Sequence, residues 1–213
     1  GRRGTAQGGD QAAVGDGDAR AWRDEDAFAA GHKGAGRGLG RQLAEGGPAA
    51  IAGLSSLGVD FTRDDGRRRL LRCGGASRKR LLQAGERTGA EMVKALRAAV
   101  RASGADVWEA TSLVALEPEG DGWRAQVAPG GNGLRRTVHA RAVVLAAGGG
   151  LRGEAQALGL HSTNHPDATP EVMRLALELG AQGRELDSWQ QHPTGSIWPE
   201  ALAGYALPET TRA

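Results

Sequence analysis

The 213-residue sequence predicts an α/β chain, on three observations. Residues 88–103, "TGAEMVKALRAAVRAS", place Met92, Ala95, Leu96, Ala99 and Val100 on one helix face, and Ser103-Gly104 closes the helix. Three strand candidates follow: Asp106 to Leu116, Trp123 to Val127 and Thr137 to Ala146, joined by "EGDG" and "PGGNG" turns. The last candidate runs into "VVLAAGGG", apolar without polar alternation, the pattern of a strand buried on both faces of a parallel sheet. A second amphipathic helix, Pro170 to Leu179, stops at Gly180, so helices and strands alternate as an α/β chain requires.

The N-terminal part is less regular. Its first forty residues are glycine-rich and polar, and "AAV" before "GDGD" predicts a short helix or turn rather than a strand. From Gly38 to Leu57, the residues Leu39, Leu43, Ala50, Ile51 and Leu54 fall at near-helical spacings. The "GGP" at Gly46 to Pro48 interrupts them and predicts two helices, the second with Pro48 in its first turn. "GVDFTRDDGRRRLLR" then predicts a strand and a turn.

Composition narrows the function classes. Glycine, at 35 residues, far exceeds the ~7% average, and it clusters beside hydrophobic runs, as tight turns and close backbone approaches demand. Net charge is +2, and the only lysines are Lys33, Lys79 and Lys94. The basic stretch Arg63 to Arg80 has the charge to grip phosphates, but a solvated loop and helix start is favoured. One tyrosine and two phenylalanines give few stacking platforms, which argues against a nucleic-acid partner. Cys73 stands alone, so no internal disulfide forms, as expected of a reducing, cytoplasmic compartment. The longest stretch free of Asp, Glu, Lys and Arg, Gly46 to Val59, is shorter than the ~18 residues of a membrane span. No signal-peptide pattern is visible.

The glycine-ended run carries the chemistry. Ligands of open α/β sheets bind beyond the carboxyl ends of the strands, where glycines let backbone N–H groups approach a pyrophosphate. A plain tight turn after a core strand explains the same residues equally well. Four blocks, taken in order, add specificity: "TAQGGDQAAVGD" (Thr5 to Asp16); "RCGGASRKRLLQAGERTGAEMVKAL" (Arg72 to Leu96); "VVLAAGGG" (Val143 to Gly150); and "STNHPDATPEVMRLALELGA" with "QQHPTG". Together they resemble the flavoprotein family of succinate dehydrogenase, fumarate reductase and L-aspartate oxidase, over nearly the whole chain.

That resemblance implies part of an FAD-binding Rossmann-like domain of the glutathione-reductase type, with a mixed sheet, a hairpin and packed helices. Residues 1–191 would be the partial FAD-binding domain, and 192–213 the start of the substrate-facing capping segment. It implies Thr5, Ala6, Gln7, Gly8 and Gly9 around the isoalloxazine, and Ala146, Ala147, Gly148 and Asn164 around the rest of FAD. The strand Ala110 to Leu116 would run past the adenine. His192 of "HPTG" would face a substrate carboxylate, a role suited to a donor group. Glu209 and Arg212 of "PETTR" would relay protons. The implied activity is hydride transfer between flavin and a small acid of the dicarboxylate type, with no partner implied for the electrons. The competing expectation is a degenerate, noncatalytic relative acting as a binding module.

The departures from the family pattern are informative too. No apolar strand precedes "GAGRGLG" (Gly34 to Gly40), so the dinucleotide fingerprint is absent. The chain begins with Gly1 and ends at Ala213, before the family's catalytic arginine, and so reads as the middle of a longer protein. A missing first βαβ unit would leave apolar surface exposed. Arg2 stands where succinate dehydrogenases attach flavin through His, so FAD would be noncovalent. Ala76 replaces the His of Gly-Gly-His-Ser. The family's Thr-Gly-Asp-Gly reads Thr169-Pro170-Glu171-Val172, in which Pro170 lacks an N–H and Glu171 would accept from a ribityl hydroxyl.

Overall fold

A computed structural model describes residues 9–15, 18, 20–31, 36–73, 76–85, 87–130, 133–160, 162, 164, 165, 167–184 and 186–188. The chain forms two compact units, Gly1–Ala105 and Asp106–Ala213.

In the first unit, β1 (Asp10–Gln11) is followed by α1 (Arg20–Ala30), α2 (Arg37–Ser56), β2 (Arg63–Asp64), β3 (Arg67–Arg68), β4 (Leu81–Leu82) and α3 (Thr88–Ala102). The predicted helix over 88–103 and the turn after Val14 match these elements, whereas the short strand at Asp10–Gln11 and helix α1 carry no clear sequence signal. Helix α1 buries none of its residues, so no apolar stripe announces it. Polar ties hold it instead. Asp26 accepts from the Ser77 N–H at 2.8 Å and from Ser77 Oγ at 2.9 Å.

Helix α2 corrects the expected break. It runs unbroken from Arg37 to Ser56 with Pro48 inside. An interior proline forfeits the bond to the carbonyl four residues back, here Ala44, at about 3 kcal/mol. Yet Ala44 and Ile51, seven residues apart and on one face, are both buried, at 2% and 3% exposure. A single continuous face in the core outweighs the local defect. The residues between α2 and β4 follow the expected strand and turn: β2 and β3 pair around Asp65 (φ 49°) and Gly66 (φ 79°), the two positive-φ positions of a tight hairpin turn.

The core of this unit gathers Ala12, Ile51, Val59, Phe61, Leu82, Ala84 and Ala95, with Val14, Leu54, Leu70 and Met92 packed against it. β1 and β4 pair antiparallel, with Asp10 opposite Leu82 and Gln11 opposite Leu81. Arg80, one residue before β4, is completely buried and ion-paired to Asp18 at 2.8 Å and to Asp26 at 2.5 Å.

The second unit is an antiparallel meander with two short helices. β5 (Thr111–Glu119), β6 (Gly122–Pro129) and β7 (Arg136–Ala140) lie in the order β5-β6-β7, with a bulge between Leu113 and Ala115. All three strands fall on the predicted candidates, shifted by a few residues. Helix α4 (Leu151–Ala157) was not foreseen, and α5 (Glu171–Glu178) follows the prediction and ends before Gly180 at φ 90°.

The glycine-ended run differs from its prediction. Residues 141–149 form no strand, and Val144 is 90% exposed. Hydrophobic patterning reports a preference for burial, but a ladder also needs a partner strand, and among the described residues none flanks this run. No helix among the described residues is long and apolar enough to cross a membrane.

Two stability predictions follow from the packing. Phe61 is 2% exposed, so Phe61→Ala is expected to cost about 3–5 kcal/mol in denaturant unfolding. Burial pushes the Asp26 carboxyl up, but the Ser77 hydrogen bonds and Arg80 outweigh it and hold it below its ordinary 3.8. A depressed carboxylate stabilises the fold above its unfolded value, and that contribution is lost as pH falls through the lower folded value. Melting temperature should therefore drop below about pH 4, and the drop from about pH 6 to about pH 3 should shrink in Ser77→Ala.

Candidate cofactor site

Of the residues singled out from the sequence, Gly9, Ala146, Ala147, Gly148, Asn164 and Glu171 are described; Thr5, Ala6, Gln7, Gly8, His192, Glu209 and Arg212 lie outside the described residues.

In the first unit, Gly9 leads directly into β1. A side chain there would overlap the Leu82 carbonyl oxygen and meet Leu81 Cδ1 at 3.0 Å. The close approach of β4 is therefore enough to require glycine at this position.

The second unit brings the other described candidates onto neighbouring elements. Ala146, Ala147 and Gly148 are exposed, and Gly148 takes φ 85°, which favours glycine. A Cβ at Gly148 or Gly149 would meet nothing within 4 Å, so this backbone faces open space. Gly150 behaves differently. It is buried, and a Cβ there would lie 2.8 Å from Pro170 Cβ and 3.2 Å from Cγ. The glycine turn and the start of α5 thus touch at a point where no side chain fits.

A second tie crosses the same region. Arg152, in the first turn of α4, donates from Nη1 to the Asn164 carbonyl at 2.8 Å and to the Ser162 carbonyl at 3.4 Å. The Asn164 N–H donates to Ser162 Oγ at 3.2 Å, and the Ala168 N–H to the His165 carbonyl at 3.0 Å. A guanidinium therefore fixes the backbone of the Asn164 turn relative to the helix that follows the glycines.

At the start of α5, the Thr169 hydroxyl and the residue's own N–H hydrogen-bond the Glu171 carboxylate; these and the nearby Arg174 hold it below its usual 4.5. Pro170, at the N-cap position, contributes no N–H. This helix start consequently carries its own negative charge, which disfavours a phosphate there. An ionised carboxylate beside open glycine backbone instead accepts hydroxyl donors. The residues fit the uncharged polyol portion of FAD, with the pyrophosphate left to other parts of the chain.

Arg152, Gly150 and Ser162 were missed by sequence reasoning. Gly150 was the third glycine of a run with nothing to single it out, and an arginine that caps carbonyls ten or more residues away leaves no local pattern. Gly150→Ala is expected to cost about 1–3 kcal/mol by forcing Pro170 away, whereas Gly149→Ala, opening onto empty space, should cost less; chemical denaturation of both variants checks the pair.

With this geometry in view, the family model of the FAD binding domain matches residues 3–207. The L-aspartate oxidase of Streptomyces coelicolor is 36% identical over 196 residues, covering 89% of this chain and 33% of that protein. Among solved structures, a flavocytochrome c3 fumarate reductase in its open conformation superposes with a TM-score of 0.78 at 29% identity, covering 91% of this chain and 36% of that one. E. coli quinol fumarate reductase FrdA gives a TM-score of 0.81 at 23% identity over 91% of this chain and 33% of its own, a likeness of fold. The chain spans about a third of the length of the curated relatives it matches. The match over nearly all of its residues places this chain in the FAD binding domain family, with the fold of the fumarate reductase flavoproteins.

Proposed function

We propose that this chain is the FAD-holding portion of an oxidoreductase that acts by hydride transfer on a small acid of the dicarboxylate type. The observation that carries the proposal is in the second unit: the open glycine turn, the clamped Asn164 turn and the ionised Glu171 lie on elements tied by Gly150–Pro170 and Arg152–Asn164. The family match supports the cofactor assignment. The curated relatives are named L-aspartate oxidases, so L-aspartate is the first substrate to test, ahead of succinate and fumarate.

When bound, FAD supplies the two-electron acceptor or donor for the hydride. The protein residues bind and orient. Thr5, Ala6, Gln7, Gly8 and Gly9 would lie along the isoalloxazine, and Ala146, Ala147, Gly148 and Asn164 along the remainder. Glu171 would accept a hydrogen bond from a ribityl hydroxyl. In the proposed domain division, 1–191 holds the cofactor and 192–213 opens the capping segment. There, His192 would donate to a substrate carboxylate, and Glu209 with Arg212 would pass a proton along hydrogen bonds. Arg2 offers no imidazole for covalent attachment, so the cofactor would be held noncovalently.

The test is a visible spectrum after incubation with excess FAD and desalting. A retained flavin band is expected, weakened on the order of tenfold in affinity by Glu171→Ala. The protein carrying this chain should then lose its oxidised flavin band when L-aspartate or succinate is added without oxygen. A colourless preparation of that protein would sink the proposal.

A further inference from the structure

Arg80 sits at an unusual node. Its backbone carbonyl accepts the Ala12 N–H at 3.2 Å, which extends the β1–β4 pairing by one residue. Its guanidinium holds Asp18 through two bonds, Nε to Oδ2 at 3.0 Å and Nη2 to Oδ1 at 2.8 Å. One residue thus grips both ends of the stretch from Ala12 to Asp18, one end by backbone and the other by side chain. Its third contact, Nη1 to Asp26 at 2.5 Å, ties α1 to the same point. The Arg80 side chain is wholly buried and that of Asp18 is 4% exposed, so solvent hardly screens the pair. Gln11 adds a further tie, its Nε2 donating to Cys73 Sγ at 2.8 Å.

We propose that Arg80 is a positioning residue for the cofactor. By clamping Ala12 and Asp18 together, it sets where the chain that leads back through Gly9 presents the Thr5–Gly9 run to the flavin ring. The proposal rests on the assignment of Thr5–Gly9 to the isoalloxazine made above. Arginine is needed because its planar fork meets Asp18 bidentately while a third nitrogen reaches Asp26, which a lysine ammonium cannot reproduce. A purely stabilising clamp would change melting temperature alone. A positioning clamp also changes the environment of the bound flavin.

The experiment compares Arg80→Lys, Asp18→Asn, Ser77→Ala and Gln7→Ala in the protein carrying this chain, using FAD itself as the probe. Three quantities are read: FAD affinity by titration, the position of the bound flavin absorption band, and hydrogen exchange at the Ala12 amide without FAD. Arg80→Lys and Asp18→Asn are expected to weaken FAD on the order of tenfold, to shift the band and to speed exchange at Ala12. Ser77→Ala, which loosens only Asp26, should lower the melting temperature and leave the band in place. If Arg80→Lys does not fold, Asp18→Asn, which keeps the side-chain shape, carries the same test. Should Gln7→Ala shift the band while the Arg80 and Asp18 variants leave band and affinity unchanged, the clamp is structural and the proposal is overturned. Should Gln7→Ala itself leave the band unmoved, the assignment of Thr5–Gly9 to the flavin falls, and the proposal falls with it.

Discussion

The first unit depends on one buried charge being fully answered. A guanidinium with no exposure is tolerated only when its donors are matched, and Arg80 has both Asp18 and Asp26 within reach. Removing one partner of such a cluster typically costs about 3–5 kcal/mol, because the remaining charge stays buried. The same cluster explains why α1 packs without an apolar face. Its anchoring comes from Asp26, which joins Ser77 and Arg80, while Arg37 pairs with Glu25 at 2.7 Å and stacks over Phe28. Around this polar centre the small apolar core has only to fill space between α2, α3 and the β1–β4 pair.

The second unit is organised by backbone proximity instead of charge burial. Its hairpin strands carry exposed pairs such as Glu117–Arg124, which contribute little in water. The decisive features are where the chain comes too close for a side chain, at Gly150 against Pro170, and where an arginine gathers carbonyls, at Arg152. The substitution of the family's Thr-Gly-Asp-Gly by Thr169-Pro170-Glu171-Val172 makes sense in this setting. Pro170 fills the space left by Gly150, and Glu171 keeps a carboxylate at the start of α5.

Much of the fold was legible in local pattern. The α3 face, the meander strands and the close of α5 at Gly180 each follow from periodicity and turn chemistry within a dozen residues. The family was legible from four ordered blocks, because glycines and turn residues at cofactor loops answer to backbone geometry and survive as short motifs. What failed depended on distant neighbours. Pro48 signalled a break that burial of Ala44 and Ile51 overrides, and the Val143–Leu145 run signalled a buried strand that has no partner among the described residues.

By itself, the sequence determined the helices and hairpin, the family and the kind of cofactor, since these rest on short-range spacing. The tertiary structure alone decided which of many arginines matter. Arg80 reaches Asp18 across 62 positions and Asp26 across 54, and Arg152 reaches Asn164 across 12. Nothing in the composition of an arginine-rich chain distinguishes those residues from the solvated ones. Only folding removes water from Arg80 and brings its partners within hydrogen-bonding distance, and that desolvation makes the interaction strong enough to organise the unit.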